Sequence, residues 1–136
     1  MSYLLDTNVC IFLINGTSDR VRRRYYQAAA RGPLPATSSI AAHELWYGVA
    51  KSGRVAQNAK RLATFLGSAV SVLDFSAEDA HVAGEIRAEL ERKGTPIGAC
   101  DMLIAGQAFA RNLILVTANT REFAQVKGLV VEDWTG

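Results

Sequence analysis

The sequence predicts an α/β protein built on a mostly parallel central sheet of about five short strands flanked by helices. Short apolar runs at residues 3–5, 34–38, 70–73, 113–116 and 129–131 recur between longer segments of helical composition, the alternation from which layered α/β folds are made. Runs such as 3–5 and 113–116 end in small polar residues, as buried strands do where they empty into a loop or helix start. With 136 residues, 49% of them apolar and 21% charged, the chain fits one domain over 1–136 with a core of its own.

Tyr3-Leu4-Leu5 is a buried strand ending at Asp6-Thr7-Asn8, and a helix over 9–14 follows it, stopped by Asn15-Gly16. Ser18 and Asp19 cap a second helix that carries Arg20, Arg22, Arg23, Arg24, Tyr25 and Tyr26 and ends at Gly32-Pro33. Residues 34–38 are the weakest strand, because Pro35 falls inside it. Ser39 is the expected N-cap of a helix bearing Ile40, His43, Glu44, Leu45, Trp46 and Val49 and ending near Ser52-Gly53. Residues 54–66 read as a helix closing at Gly67, and 70–73 as a strand.

Ser76-Ala77-Glu78-Asp79 resembles a capping box with Asp in the place of the usual Glu. The helix it opens has Ala83, Ile86 and Leu90 as an apolar stripe, so Glu85, Glu89, Glu91 and Arg92 read as surface charge. Gly94-Thr95-Pro96 breaks it, and Ile97-Gly98 leads into a helix containing Asp101, Met102, Ile104, Ala105 and Phe109. Residues 113–116 are the strongest strand signal, followed by Thr117-Ala118-Asn119, a short helix over 121–126 and a last strand at 129–131.

A net charge of +2 is too mild to mark a nucleic-acid binder, yet it does not oppose one. Arg20 to Arg24 form one basic group and Lys51, Arg54, Lys60 and Arg61 another; solvated helix surface explains both equally. Cys10 and Cys100 form no C-x-x-C pair and sit in apolar stretches, which reads as buried, reduced core in a cytosolic protein. Met1-Ser2-Tyr3-Leu4-Leu5 reaches Asp6 without the charged and long apolar regions of a signal peptide. No run approaches the ~18 apolar residues of a membrane span, so a soluble cytoplasmic protein is expected.

A carboxylate directly after a buried strand is costly unless satisfied, which singles out Asp6. Capping of the next helix explains it equally well. Glu44, within a largely apolar helix, reads alone as a solvated residue, and His43 as a packing or hydrogen-bonding one. An H-E-x-x-H zinc site is excluded because Tyr47 stands four residues after His43. Asp101 is conspicuous near the start of a helix of apolar and small residues with no basic neighbour in sequence, although a helix N-terminus alone favours an acid. Three carboxylates around one pocket would repel by roughly 4 kcal/mol per pair at ~4 Å and an effective dielectric near 20. Protonation or bound cations relieve such a cluster. All-oxygen donors favour Mg²⁺ or Mn²⁺, ions that activate water and polarise phosphate.

Spacing alone does not bring Asp6, Glu44 and Asp101 together. Four segments do so by resemblance: Leu4-Leu5-Asp6-Thr7-Asn8, Ser38-Ser39-Ile40-Ala41-Ala42-His43-Glu44-Leu45, Pro96-Ile97-Gly98-Ala99-Cys100-Asp101-Met102-Leu103-Ile104-Ala105, and Leu115-Val116-Thr117-Ala118-Asn119-Thr120-Arg121-Glu122-Phe123. In this order they resemble the motifs of PIN-domain ribonucleases of the VapC toxin type, and the closing Glu132-Asp133-Trp134 resembles one VapC subgroup. The resemblance implies a PIN-like fold in which Asp6, Glu44 and Asp101 hold Mg²⁺, with Mn²⁺ able to substitute.

A fourth acid of many PIN domains falls where this chain has Asn119, which can accept a hydrogen bond or orient a water but adds no charge. Thr7, Asn8 and Thr117 would support Asp6 and the metal by hydrogen bonds, or serve as ordinary cap and turn residues. The resemblance further implies the toxin half of a toxin–antitoxin pair: a metal-dependent endoribonuclease cutting a structured RNA, often a tRNA, active as a homodimer and neutralised by a VapB-like antitoxin. Arg20, Arg23, Arg24, Lys51 and Arg54 are candidates for RNA backbone contact. Two other readings fit less well. A silent RNA-binding module has no need of clustered carboxylates, and a phosphatase with Asp6 as nucleophile would want an acid where Asn8 stands.

Overall fold

The computed structural model describes residues 2–136. In chain order the elements are β1 (Tyr3–Leu5), α1 (Thr7–Asn15), α2 (Asp19–Arg31), β2 (Ala36–Ser38), α3 (Ser39–Ala50), α4 (Val55–Ser68), β3 (Ser71–Leu73), α5 (Ala77–Arg92), α6 (Ala99–Ala110), β4 (Ile114–Val116), α7 (Thr120–Phe123) and β5 (Val131–Glu132). All five strands run parallel in one sheet of order β3-β2-β1-β4-β5. The expected "mostly parallel" sheet is thus wholly parallel.

Alternation along each strand divides the core. Leu4 and Leu115 face one side with Leu90, Ile104, Ala105, Ala108 and Phe123, from α5, α6 and α7. Leu5 and Val116 face the other, against Val9, Cys10, Val21, Leu62 and Phe65 of α1, α2 and α4. The period of two in side-chain direction makes the central strands β1 and β4 serve both layers. Helix α3 straddles them, giving Ile40 and Ala41 to the first and Leu45 to the second.

Two helix ends match their sequence signals closely. Gly16 stops α1 in the left-handed region at φ 64°, and Ser76 with Asp79 forms a complete capping box on α5. Other boundaries shift. Ser38, not Ser39, caps α3 by accepting from the Ile40 N–H at 2.9 Å, because the last strand residue already has the extended backbone a cap needs. Ser39 instead accepts from the Phe75 N–H at 3.0 Å. Helix α4 runs through Gly67 to Ser68. Strand β2 starts after Pro35, α7 spans Thr120–Phe123, and β5 lies later than expected, at Val131–Glu132.

Helices α5 and α6 pack so closely that a Cβ on Gly106 would come within 2.5 Å of the Ala83 Cβ. Arg111 at the end of α6 pairs with buried Asp79 at 2.8 Å. At the other end of the chain, Trp134 is buried edge-on against Tyr3, and its indole N–H donates to Glu132. No helix among the described residues is long and apolar enough to cross a membrane.

Candidate active site

Strand order reverses at the centre of this sheet: β1 is followed by β2 on one side, while β4 lies on the other. In parallel α/β sheets the crevice at the carboxyl ends of such strands is where ligands bind. Asp6 leaves β1 there and Thr117 leaves β4, joined by the Asp6 N–H donating to the Val116 carbonyl at 3.0 Å.

Asp6 is buried and serves both readings at once. It caps α1, accepting from the Val9 N–H at 2.9 Å, and it faces the site. Burial raises its carboxyl above the ordinary carboxylate range. Hydrogen bonds from the Thr117 side chain and the Val9 and Asn8 backbone oppose that rise, and the nearby Glu44 charge adds to it. Thr117 is fully buried and also accepts from the Asn119 N–H at 2.9 Å, so it ties the β1 and β4 ends together. The Asn8 side chain is exposed and contributes to Asp6 only through its backbone.

Glu44 reaches the same crevice from α3. The Thr7 hydroxyl donates to its Oε1 at 2.6 Å, a bond spanning 37 residues of sequence. Cys100 does not lie in the core as expected; it is partly exposed at the start of α6, where burial and the Glu44 and Asp101 charges raise its thiol. Cys10 is buried as anticipated. His43 points to solvent beside Glu44.

Asp101 occupies the first turn of α6, half-buried. Desolvation raises its carboxyl most, Glu122 adds by charge and hydrogen bonding, and Asp6 and Glu44 add by charge, so that it titrates at about 7. No Lys or Arg pairs with it among the described residues. Glu122, unassigned in the sequence, is therefore the fourth acid of the cluster. Its Oε1 accepts from the Gly98 N–H at 3.0 Å and its Oε2 from the Asn119 side-chain amide at 2.5 Å. Asn119 holds Glu122 rather than standing alone in the site. Its spacing of three residues to Glu122, on the short helix after β4, was the available signal.

The structure thus gathers Asp6, Glu44, Asp101 and Glu122. Among the described residues no three His, Cys, Asp or Glu side chains stand close enough together, as they lie here, to hold a metal ion. The donor set nevertheless suits a hard divalent cation: all oxygens, mutually repelling, with Asp6 and Asp101 displaced toward their protonated forms.

The basic candidates separate. Arg20, Arg23, Lys51 and Arg54 are exposed. Arg24 is partly exposed but engaged, bonding Glu132 and lying 5.8 Å over the Trp134 ring, so it fastens the C-terminal segment. Arg61 is committed to the end of α1 through the Ile14 carbonyl at 2.9 Å and Asn15 at 3.1 Å.

The sequence profile of the PIN domain matches residues 3–129. The chain is 44% identical over 137 residues to ribonuclease VapC2 of Rickettsia felis, covering 98% of each. It is 42% identical over 134 residues to the tRNA(fMet)-specific endonuclease VapC of Salmonella typhimurium, again covering 98% of each. The crystal structure of VapBC2 from Rickettsia felis bound to a DNA fragment from their promoter superposes with a TM-score of 0.92 at 42% identity, covering 98% of this chain and 99% of that one.

Proposed function

The chain belongs to the PIN-domain family and, within it, to the VapC ribonucleases, and we propose that it is the toxin of a toxin–antitoxin pair, a single PIN domain over 1–136 that hydrolyses phosphodiester bonds in a cytoplasmic structured RNA, a tRNA. One observation supports this above the rest. Asp6, Glu44, Asp101 and Glu122 converge from four segments on the switch point of the sheet, and the carboxyls of Asp6 and Asp101 are raised by burial and, after it, by the neighbouring acids.

Asp6, Glu44 and Asp101 are assigned to Mg²⁺, with Mn²⁺ able to replace it. A divalent cation held there would neutralise the cluster, polarise the scissile phosphate and favour loss of a proton from the attacking water. The chain's own groups set the geometry. Val9 and Thr117 aim Asp6, Thr7 fixes Glu44, and Gly98 with Asn119 holds Glu122 against Asp101. A carboxylate of the cluster that the ion leaves free would accept the proton the water releases.

The uncompensated charge is also the handle for a VapB-like antitoxin, which neutralises it with a basic side chain. A homodimer is the working unit, and Arg20, Arg23, Lys51 and Arg54 approach the RNA backbone. The test is incubation of the antitoxin-free protein with total bacterial RNA and with initiator tRNA, in Mg²⁺ or EDTA, beside Asp101→Asn, with cut ends read by sequencing. Discrete cuts requiring both Mg²⁺ and Asp101 are expected; intact RNA in every lane with folded protein would overturn the reading.

A further inference from the structure

The face of α3 that carries Glu44 continues beyond it. Tyr47, Gly48 and Lys51 follow at i+3, i+4 and i+7 and so share its stripe. Tyr47 is 60% exposed, an unsheltered ring next to an acidic centre. The Lys51 Nζ lies 4.6 Å from the ring centroid, over one face of a ring that is otherwise largely exposed. Helical side chains lean toward the N-terminus, which carries the ring over the turn that holds Glu44. Beside it the floor is clear: a Cβ on Gly48 would meet nothing within 4 Å. Gly48 and Glu44 also border a cleft of about 330 Å³ toward α1 and α4, which Tyr47 and Lys51 do not line.

An RNA strand entering four carboxylates must be held by something other than the acidic centre. Lys51 stands roughly 10 Å along the helix axis from Glu44, close enough for the strand that reaches the centre to pass it. An aromatic face with an ammonium behind it matches the two halves of a nucleotide, a planar base and a phosphate. Resting on the endoribonuclease reading, we propose that Tyr47 and Lys51 hold the nucleotide flanking the cut bond: its base stacks on the exposed ring of Tyr47, and Lys51 takes its phosphate.

Binding is read in the Asp101→Asn background, where RNA is not cut, by fluorescence anisotropy of labelled initiator tRNA and of a single-stranded oligoadenylate of about ten nucleotides, a length within reach of one stacking groove. Tyr47→Ala is expected to weaken both by roughly ten-fold or more, and Tyr47→Phe, which keeps the ring, to stay within about two-fold. Lys51→Ala should lower the salt dependence by about one phosphate contact. Tyr26→Ala, an equally exposed ring on α2, should change nothing. With Asp101 intact, Tyr47→Ala should raise KM more than it lowers kcat. Tyr47→Leu, bulky but without a π face, repeats the test should alanine disturb the helix.

Undiminished RNA binding by both Tyr47→Ala and Tyr47→Leu would overturn the proposal. So would loss of antitoxin affinity alone, which would give the surface to the protein partner. Failure of the nuclease reading is distinct: wild type would leave RNA intact in Mg²⁺ while the binding series still reports on Tyr47.

Discussion

Asp79 and Asp101 both stand in the first turn of a helix, α5 and α6 respectively, and the two helices pack on each other. Their surroundings are opposite. Burial alone would push the Asp79 carboxyl up, yet hydrogen bonds from Arg111 and from Ser76 outweigh it and hold it below the ordinary range. Asp101 faces Glu122, Asp6 and Glu44, and is raised. The fold is evidently able to supply a guanidinium to a buried acid where it needs one. At the switch point of the sheet it supplies more acids, so one carboxylate is compensated within the fold and the other is not.

The largest expected effect removes the unpaired set. Asp101→Asn or Glu44→Gln should lower RNA cleavage by at least about 100-fold, on the scale of losing one preorganised electrostatic group, while circular dichroism shows an intact fold. Undiminished cleavage by both folded variants would sink the metal-site assignment. The converse change makes Asp79 resemble Asp101. Arg111→Met leaves that carboxylate buried without its cation, at a cost of about 2 kcal/mol, below the range for fully buried pairs because Arg111 is partly exposed. Thermal denaturation should show the loss, with cleavage retained at temperatures where the variant stays folded; an unchanged melting temperature would break the comparison from its stable side.

A smaller effect is expected from Thr7→Val, which deletes the 2.6 Å bond to Glu44 without touching a carboxylate. Supporting bonds of this kind are worth about ten-fold in metal affinity. Calorimetric titration with Mn²⁺ should show that loss in a protein of unchanged melting temperature. Equal affinity would mean that Thr7 is an ordinary first-turn residue of α1.

What the sequence revealed follows from the range of each interaction. The capping box at Ser76 and Asp79, the stop at Gly16 and the apolar strands depend on neighbours within a few positions, and they were legible. Ser38 and Ser39 were confused because either side chain can cap, and only the strand's end decides between them. Asp6 was legible as an oddity, a charge after a buried strand, but its partner Glu44 lies 37 residues beyond Thr7, the residue that fixes it. Only the ordered motifs of the family joined them. Glu122 lies inside one of those motifs, but an acid in the first turn of a short helix carries no local sign of its role, which comes from the Asn119 amide and the facing Asp101. Cys100 shows the opposite failure. Apolar neighbours suggested burial, whereas the first turn of α6 brings it out beside Glu44.

The subtlest expected difference between the two acids is the sign of their pH dependence. Asp79, lowered by folding, contributes stability above the unfolded carboxylate value near 3.8 that is lost as pH falls through its folded value. Asp101, raised to about 7, contributes stability that is complete below 3.8 and is lost as pH rises toward 7. Asparagine mimics the protonated acid and cannot ionise. In EDTA, therefore, Asp101→Asn and wild type should melt together near pH 4 and diverge as pH rises, the variant becoming the more stable by about 1 kcal/mol at pH 8 once solvent screening of this half-exposed group is allowed for. Mg²⁺ should reverse the order at pH 8, because a cation then occupies the place the proton held and the asparagine binds it less well. Parallel melting curves across this range, with and without Mg²⁺, would mean that the four acids do not share a field, and the distinction between the two ends of the α5–α6 pair would rest on Arg111 alone.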